Sequence, residues 1–192
     1  MRKRLASESL IATKGCSYKN LRYYCTMESE NLYHQRHLRK GRFSEESRAY
    51  ALTKCASSGI SLTENASVTK SLIEALFWME RQNVYSLGAF VVMPDHYHAV
   101  IALTGTKSLS QIMRSIGSHT AREGNKIKGS SGQFWQRGYY DRVIRKTEDI
   151  NDIFEYIHHN PVRRGLVQVA EEWPYSSLAL PYYRRIRWHL FL

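Results

Sequence analysis

The chain has 192 residues, of which 43% are hydrophobic, and it carries a net charge of +11. That apolar content excludes wholesale disorder, and the length suits one domain with extensions. The charge is unevenly placed: residues 1–42 hold ten Lys and Arg against three Glu, residues 184–192 add Arg184, Arg185 and Arg187 with no acid, and the body between is nearly neutral. Basic ends on a neutral body suit an anionic polymer, although such runs also occur as solvating tails. Cys16, Cys25 and Cys55 are odd in number and form no CxxC pair, which points to reduced thiols and a cytoplasmic location. Arg2, Lys3 and Arg4 are not followed by an apolar leader segment, and no stretch reaches the length of a membrane span, so no membrane association is expected.

In chain order, residues 1–36 read as a basic N-terminal extension, 37–170 as a catalytic domain and 171–192 as a C-terminal tail. Residues 37–43 (HLRKGRF) form a basic loop, and 48–56 alternate as a first strand. Leu72, Ile73, Leu76, Phe77 and Glu80 recur at helical spacing and predict an amphipathic helix over 68–81. Residues 84–93 and 97–103 are apolar, β-branched runs around a Pro94-Asp95 break, which predicts two strands joined by a tight turn. Ser108 caps a second helix lined by Leu109, Ile112, Met113 and Ile116, which is expected to reach Arg122, with 124–132 as a Gly/Ser/Lys loop. Aromatic and β-branched residues over 134–144 predict a fourth strand. Thr147 followed by Glu148 and Asp149 starts a last helix, which Pro161 is expected to stop. The first six elements, β-α-β-β-α-β, match an α+β, ferredoxin-like split βαβ arrangement: an antiparallel sheet with helices packed on one face, and the last helix following the fourth strand.

Three polar positions converge within this order. Side chains alternate along a strand, so His96 and His98 share a face while Tyr97 takes the other. Two imidazoles side by side can hold one divalent metal, and can equally be hydrogen-bonded strand residues. Tyr156 and Asn160 lie four apart on the last helix and therefore on one side of it, able to face the sheet and approach the histidines. An Asn carbonyl is an acceptable ligand for a hard ion, whereas Asn-Pro is also a common helix terminator and Tyr156 can be a packing residue. Two nitrogens and one oxygen with open positions suit Mg²⁺ or Mn²⁺ assisting phosphoryl chemistry.

The segments MPDHYHAVIAL, FWQRGYYDRVIR, YIHHNPVRRGLV and WPYSS, in that order, resemble the REP-associated tyrosine transposases, within the single-tyrosine HUH nucleases. The resemblance runs from about His37 to Ser177. It implies a ferredoxin-like domain acting on single-stranded DNA at hairpins, with His96, His98 and Asn160 as metal ligands and Tyr156 as nucleophile. It further implies a covalent tyrosyl link to a 5′ phosphate and a free 3′-OH. Arg36, Arg39, Lys40, Arg42, Lys126, Lys128, Arg137, Arg142, Arg145, Arg163 and Arg164 are the expected DNA-binding bases, with Trp135, Tyr139 and Tyr140 as stacking candidates or strand core. The protein is expected to act as a monomer or homodimer. The alternatives are a hairpin-binding module that does not cleave and a metal hydrolase of a small phosphoester. The basic ends and the lack of a Gly-rich phosphate loop argue against the hydrolase.

Overall fold

The computed structural model describes residues 48–145 and 150–191. Arg36, Arg39, Lys40 and Arg42, and the expected helix start at 147–149, lie outside the described residues. Four strands, β1 (Ala49–Cys55), β2 (Tyr85–Val92), β3 (His96–Leu103) and β4 (Tyr140–Val143), form one sheet in the order β2-β3-β1-β4. Every paired neighbour is antiparallel. This is the α+β sheet expected of the split βαβ reading.

Helices α1 (Ala66–Arg81) and α2 (Leu109–Lys128) cover one face of the sheet. Tyr50, Leu52, Phe90, Val92, Tyr97, Ala99 and Ile101 point into that core, against Leu72, Ile73, Leu76, Ile112 and Ile116. The intervening residues Ala51, Ala89, Val91 and Val100 form the other face and meet Ile153, Phe154 and Ile157 of α3 (Ile150–His158). The period-two alternation of the strands thus divides the interior into two cores, and the helix carrying Tyr156 sits on the face opposite α1 and α2.

The structure corrects three boundaries. Helix α2 runs on to Lys128, six residues beyond Arg122, and ends at Gly129, whose φ of 60° supplies the left-handed cap. Gly124 belongs inside that helix because the Phe134 ring crosses it there: a Cβ on Gly124 would lie 2.4 Å from the ring. Its Ser108 end is capped as expected, with Gln111 completing a capping box. The fourth strand is confined to 140–143. Trp135 forms only an isolated bridge with Ala56, and Gly138, at φ 75°, turns the chain before regular pairing begins. Lys54 fixes that turn by donating to the Gln136 and Gly138 carbonyls at 2.6 and 2.5 Å. Finally, Pro161 does not stop the helical path. It lies in the first turn of a short helix, α4 (Asn160–Arg163), where its missing N–H leaves no intrahelical bond unmade.

Residues 173–191 join the domain as a strap. Val92 N donates to Tyr175 O at 2.8 Å, Ser177 N to Phe90 O at 2.9 Å, and the Trp173 indole to Val92 O at 2.9 Å. Further on, from a short helix α5 (Leu180–Tyr183) onward, the strap reaches both cores. Tyr182 stacks on Phe77 on one side, while Trp188 and Phe191 pack on Phe154 on the other. Arg185 of the basic end is engaged here: it pairs with Glu74 at 2.7 Å and lies 3.6 Å from the centre of the Phe77 ring.

Candidate active site

The tight turn between β2 and β3 delivers His96 and His98 onto the α3 face, both buried, with Tyr97 in the opposite core as the alternation requires. Their Nε2 atoms lie 3.1 Å apart. Each ring is held from behind. His96 Nδ1 lies 2.7 Å from Asp95 Oδ1; a carboxylate only accepts, so this nitrogen carries a proton and the Nε2 edge is the one turned to His98. His98 faces Thr53, its register partner on β1, with Nδ1 2.7 Å from the Thr53 hydroxyl. Burial pushes the imidazolium of His98 well below its ordinary range, and the charges of His96 and Arg163 push the same way against an opposing hydrogen bond at Leu52. A ring so placed is neutral at neutral pH, the form that binds metal. Burial would raise the Asp95 carboxyl, but the His96 bond and then the Arg164 contact outweigh it and hold the group well below the usual carboxylate range.

Helix α3 exists here because Ile153, Phe154 and Ile157 give it an apolar stripe for the sheet. The stripe turns Tyr156 to its flank, half-buried, with its ring centre 6.5 Å from that of His98. The Arg163 guanidinium lies 4.2 Å from the centre of the Tyr156 ring and also donates to the Tyr156 carbonyl. Asn160 is buried, and its amide donates to the carbonyls of Tyr156 at 3.2 Å and Ile157 at 3.1 Å. Both carboxamide protons are thereby used on the helix, and the oxygen is the group left for a ligand.

The donor set fits a divalent ion. Two imidazole nitrogens about 3 Å apart match neighbouring ligands of an octahedral ion with bonds of about 2.1 Å. The carboxylate and hydroxyl behind the rings are the outer contacts that orient ligating histidines. Among the described residues no group of three or more His, Cys, Asp or Glu is placed to hold a metal ion, and Asn160 adds a neutral oxygen to the two imidazoles.

The expected DNA-binding bases are not gathered at this site: Lys126 and Lys128 lie on α2, which packs on the opposite face of the sheet. Lys126, Arg137 and Arg145 are exposed, Arg142 is half-buried, and Lys128 pairs with Glu64 at 3.4 Å. Arg163 and Arg164 are exposed but turned inward on Tyr156 and Asp95. Of the stacking candidates, Trp135 is core: it is buried and its indole donates to Thr120 Oγ1 at 2.9 Å. Tyr139 and Tyr140 are both half-buried, and the Tyr139 hydroxyl lies 3.3 Å from Ser110 Oγ. Sequence reasoning misses Asp95, which reads only as a turn residue, and Thr53. An acceptor immediately before a candidate ligand histidine is the available signal for the first. It also misses His158, whose Nε2 lies 2.7 Å from Ser177 Oγ in the strap and whose basicity burial, with the neighbouring His159 charge, lowers to about 4.

Comparison with known proteins agrees with this architecture. The chain is 31% identical over 108 residues to a REP-associated tyrosine transposase of Escherichia coli, covering 55% of this chain and 62% of that protein. It is 29% identical over 99 residues to a Haemophilus influenzae protein assigned as a REP-associated tyrosine transposase, covering 46% of this chain and 56% of the relative. The chain thus spans about three-fifths of the length of these curated relatives. Its fold matches the structure of a REP-associated tyrosine transposase bound to a REP hairpin, with a TM-score of 0.61 and 24% identity, over 79% of this chain and 86% of that one. The sequence model described as Transposase IS200 like matches residues 36–160, from the basic loop to Asn160, and the chain belongs to that family.

Proposed function

We propose that the protein is a metal-dependent single-stranded DNA endonuclease and strand transferase, with Tyr156 as its nucleophile and hairpin-bearing DNA as its substrate. One observation carries the reading: a buried imidazole pair with Nε2 atoms 3.1 Å apart stands beside a tyrosine ring 6.5 Å from His98. Family membership and the REP hairpin held by a structural relative support DNA as the polymer and a hairpin as its form.

His96, His98 and Asn160 would hold Mg²⁺ or Mn²⁺. Bound there, the ion would supply charge neutralisation and orientation of the scissile phosphate. Tyr156 provides the attacking oxygen, and a phenol is a poor nucleophile until it is activated. As its bond to phosphorus forms, the bond from phosphorus to the 3′ oxygen breaks. The phenolic proton passes through solvent to that departing oxygen, leaving a 5′-phosphotyrosyl link and a free 3′-OH. One phosphate ester replaces another, so the reverse step rejoins DNA without ATP. The Arg163 guanidinium over the Tyr156 ring favours charge building on the attacking oxygen. Exposed Lys126, Arg137 and Arg145, with Arg142 and the basic loop at 36–42, are the candidate phosphate contacts, and the cytoplasm is the compartment this reading implies.

The test is a denaturing gel after incubation with hairpin-bearing single strands and Mn²⁺. A covalent adduct is expected from the parent, none from Tyr156→Phe, and none from His96→Ala or from the parent in excess chelator. Adduct from the phenylalanine variant would move the nucleophile elsewhere, to Tyr139 or Tyr140. Full cleavage in chelator would overturn the metal, and DNA that is shifted but uncut by the parent would make the protein a binding module.

A further inference from the structure

Arg164 is among the bases expected on DNA, yet its side chain turns back to the site. Its Nη1 and Nη2 reach Asp95 Oδ1 and Oδ2 at 2.9 and 3.1 Å, a two-pronged grip, while Asp95 Oδ1 faces His96 Nδ1 at 2.7 Å. The backbone of Arg164 belongs to the Asn160 turn, since its N–H donates to the Asn160 carbonyl at 3.1 Å. A continuous chain of contacts thus runs from the Asn160 turn, through Arg164 and Asp95, to His96 on the β2–β3 hairpin.

We infer that Arg164 is a positioning residue: through Asp95 it locks the His96 ring and joins the hairpin that carries the histidines to the turn that carries Asn160. This deepens the metal assignment made above and rests on it.

The physical reasons are three. First, an exposed ion pair contributes little to stability, and side-chain exposures of 40% and 44% put this pair in that class. Its geometry is nonetheless specific, because the planar guanidinium fork matches both carboxylate oxygens and fixes the plane of the carboxylate, which a lysine cannot do. Second, the fork fixes the plane of the Asp95 carboxylate at the tip of the turn, with Oδ1 held toward His96 Nδ1. Third, the proposed ligands come from elements distant in sequence, and Arg164 bridges 69 residues to join them. Arg163 performs the matching task one residue earlier, gripping Tyr156 by ring and carbonyl. Adjacent arginines therefore reach the two halves of the site from one turn.

The experiment titrates the full-length protein with Mn²⁺ alone, without DNA, following free Mn²⁺ by electron paramagnetic resonance. Asp95→Ala is expected to weaken Mn²⁺ about 10- to 100-fold, the usual effect of removing an outer partner of a ligating histidine. Arg164→Ala should weaken it by an intermediate factor, and should have no further effect when added to Asp95→Ala. Arg164→Lys, which keeps the charge and the fold but not the fork, should recover less than half of the missing affinity. Equal weakening by Arg164→Ala with and without Asp95, or full recovery by lysine, would overturn the inference. So would a lower salt slope of DNA binding in chelator for Arg164→Ala, because that marks a phosphate contact, worth roughly 0.7 in the log–log slope for single strands. His96→Ala separates the levels: if it leaves Mn²⁺ affinity unchanged, the metal assignment itself fails. If it abolishes binding while Arg164→Ala changes nothing, only the positioning role fails.

Discussion

Removing the hydroxyl of Ser177 tests whether the strap anchors the helix of the nucleophile. Ser177 Oγ accepts from the Phe90 N–H at 3.0 Å and pairs with His158 Nε2 at 2.7 Å, in a position with no solvent exposure. The Ser177 hydroxyl also donates to the Phe90 carbonyl at 3.2 Å, but that carbonyl keeps the Ser177 N–H at 2.9 Å in the alanine variant, so two groups are left unpaired, the Phe90 N–H and the His158 nitrogen. A buried group left unpaired costs about 1–3 kcal/mol. Ser177→Ala should therefore destabilise the fold by roughly 2–6 kcal/mol, a large part of the ~5–15 kcal/mol that a domain possesses. Urea unfolding measures this as a lower midpoint at unchanged slope. Adding His158→Phe removes one of the two orphans in advance, so a double-mutant cycle should give a coupling of about 0.5–3 kcal/mol. Because His158 lies two residues past Tyr156 on α3, adduct formation should also slow at temperatures where the fold remains intact. A destabilisation below about 0.5 kcal/mol, the level of an ordinary surface substitution, would refute the anchoring.

Acid should act on the same link. The folded-state pKa of His158, about 4, lies below the ordinary value of 6.5, so between those values the unfolded chain binds more protons. Stability is then complete above about pH 6.5 and falls as pH drops toward 4, by up to about 3 kcal/mol from this group, with His98 acting in the same direction; urea midpoints across that range check it. Gly124→Ala should destabilise in spite of the better helix former, because overpacking against the buried Phe134 ring costs about 1–3 kcal/mol and the helix gains at most about 1. A thermal melt should drop by about 2–4 °C per kcal/mol of destabilisation, and a rise would show that the ring moves aside freely. Replacing Arg36, Arg39, Lys40 and Arg42 with alanine should lower the log–log salt slope of single-strand binding by roughly 0.7 for each phosphate that the loop no longer neutralises. An unchanged slope and unchanged preference among hairpins would make that loop a solvated linker.

Local alternation makes much of this legible in the sequence. The period-two pattern of AFVVMPDHYHAVIAL places His96 and His98 on one face and Tyr97 on the other, as found, and the β-α-β-β-α-β order leads to the sheet. What escapes is set by contacts between distant residues. The Asp95 carboxylate is read locally as turn chemistry, and its grip on His96 is steadied by an arginine 69 positions later. Pro161 has the same sequence signature whether it ends a helix or opens the next turn. The Gly, Asn, Lys and Ser content of 124–132 reads as a loop because nothing local announces that Phe134 needs the space over Gly124. The strap has no periodicity to read: its aromatics pack singly on two different cores.

The strap also governs how this sheet can meet another. In the order β2-β3-β1-β4, β2 is an outer strand, a position whose unpaired backbone groups invite strand addition by a second chain and, at worst, aggregation. Here the N–H and carbonyl of Phe90 and those of Val92 are all taken, by Ser177, Tyr175 and Trp173. At the Phe90–Val92 end of β2 a second sheet or a peptide strand can add only by first displacing residues 173–177, and the burial of Ser176 and Ser177 opposes that displacement. At the opposite margin, β4 offers four of the described residues, Tyr140–Val143, to any such pairing.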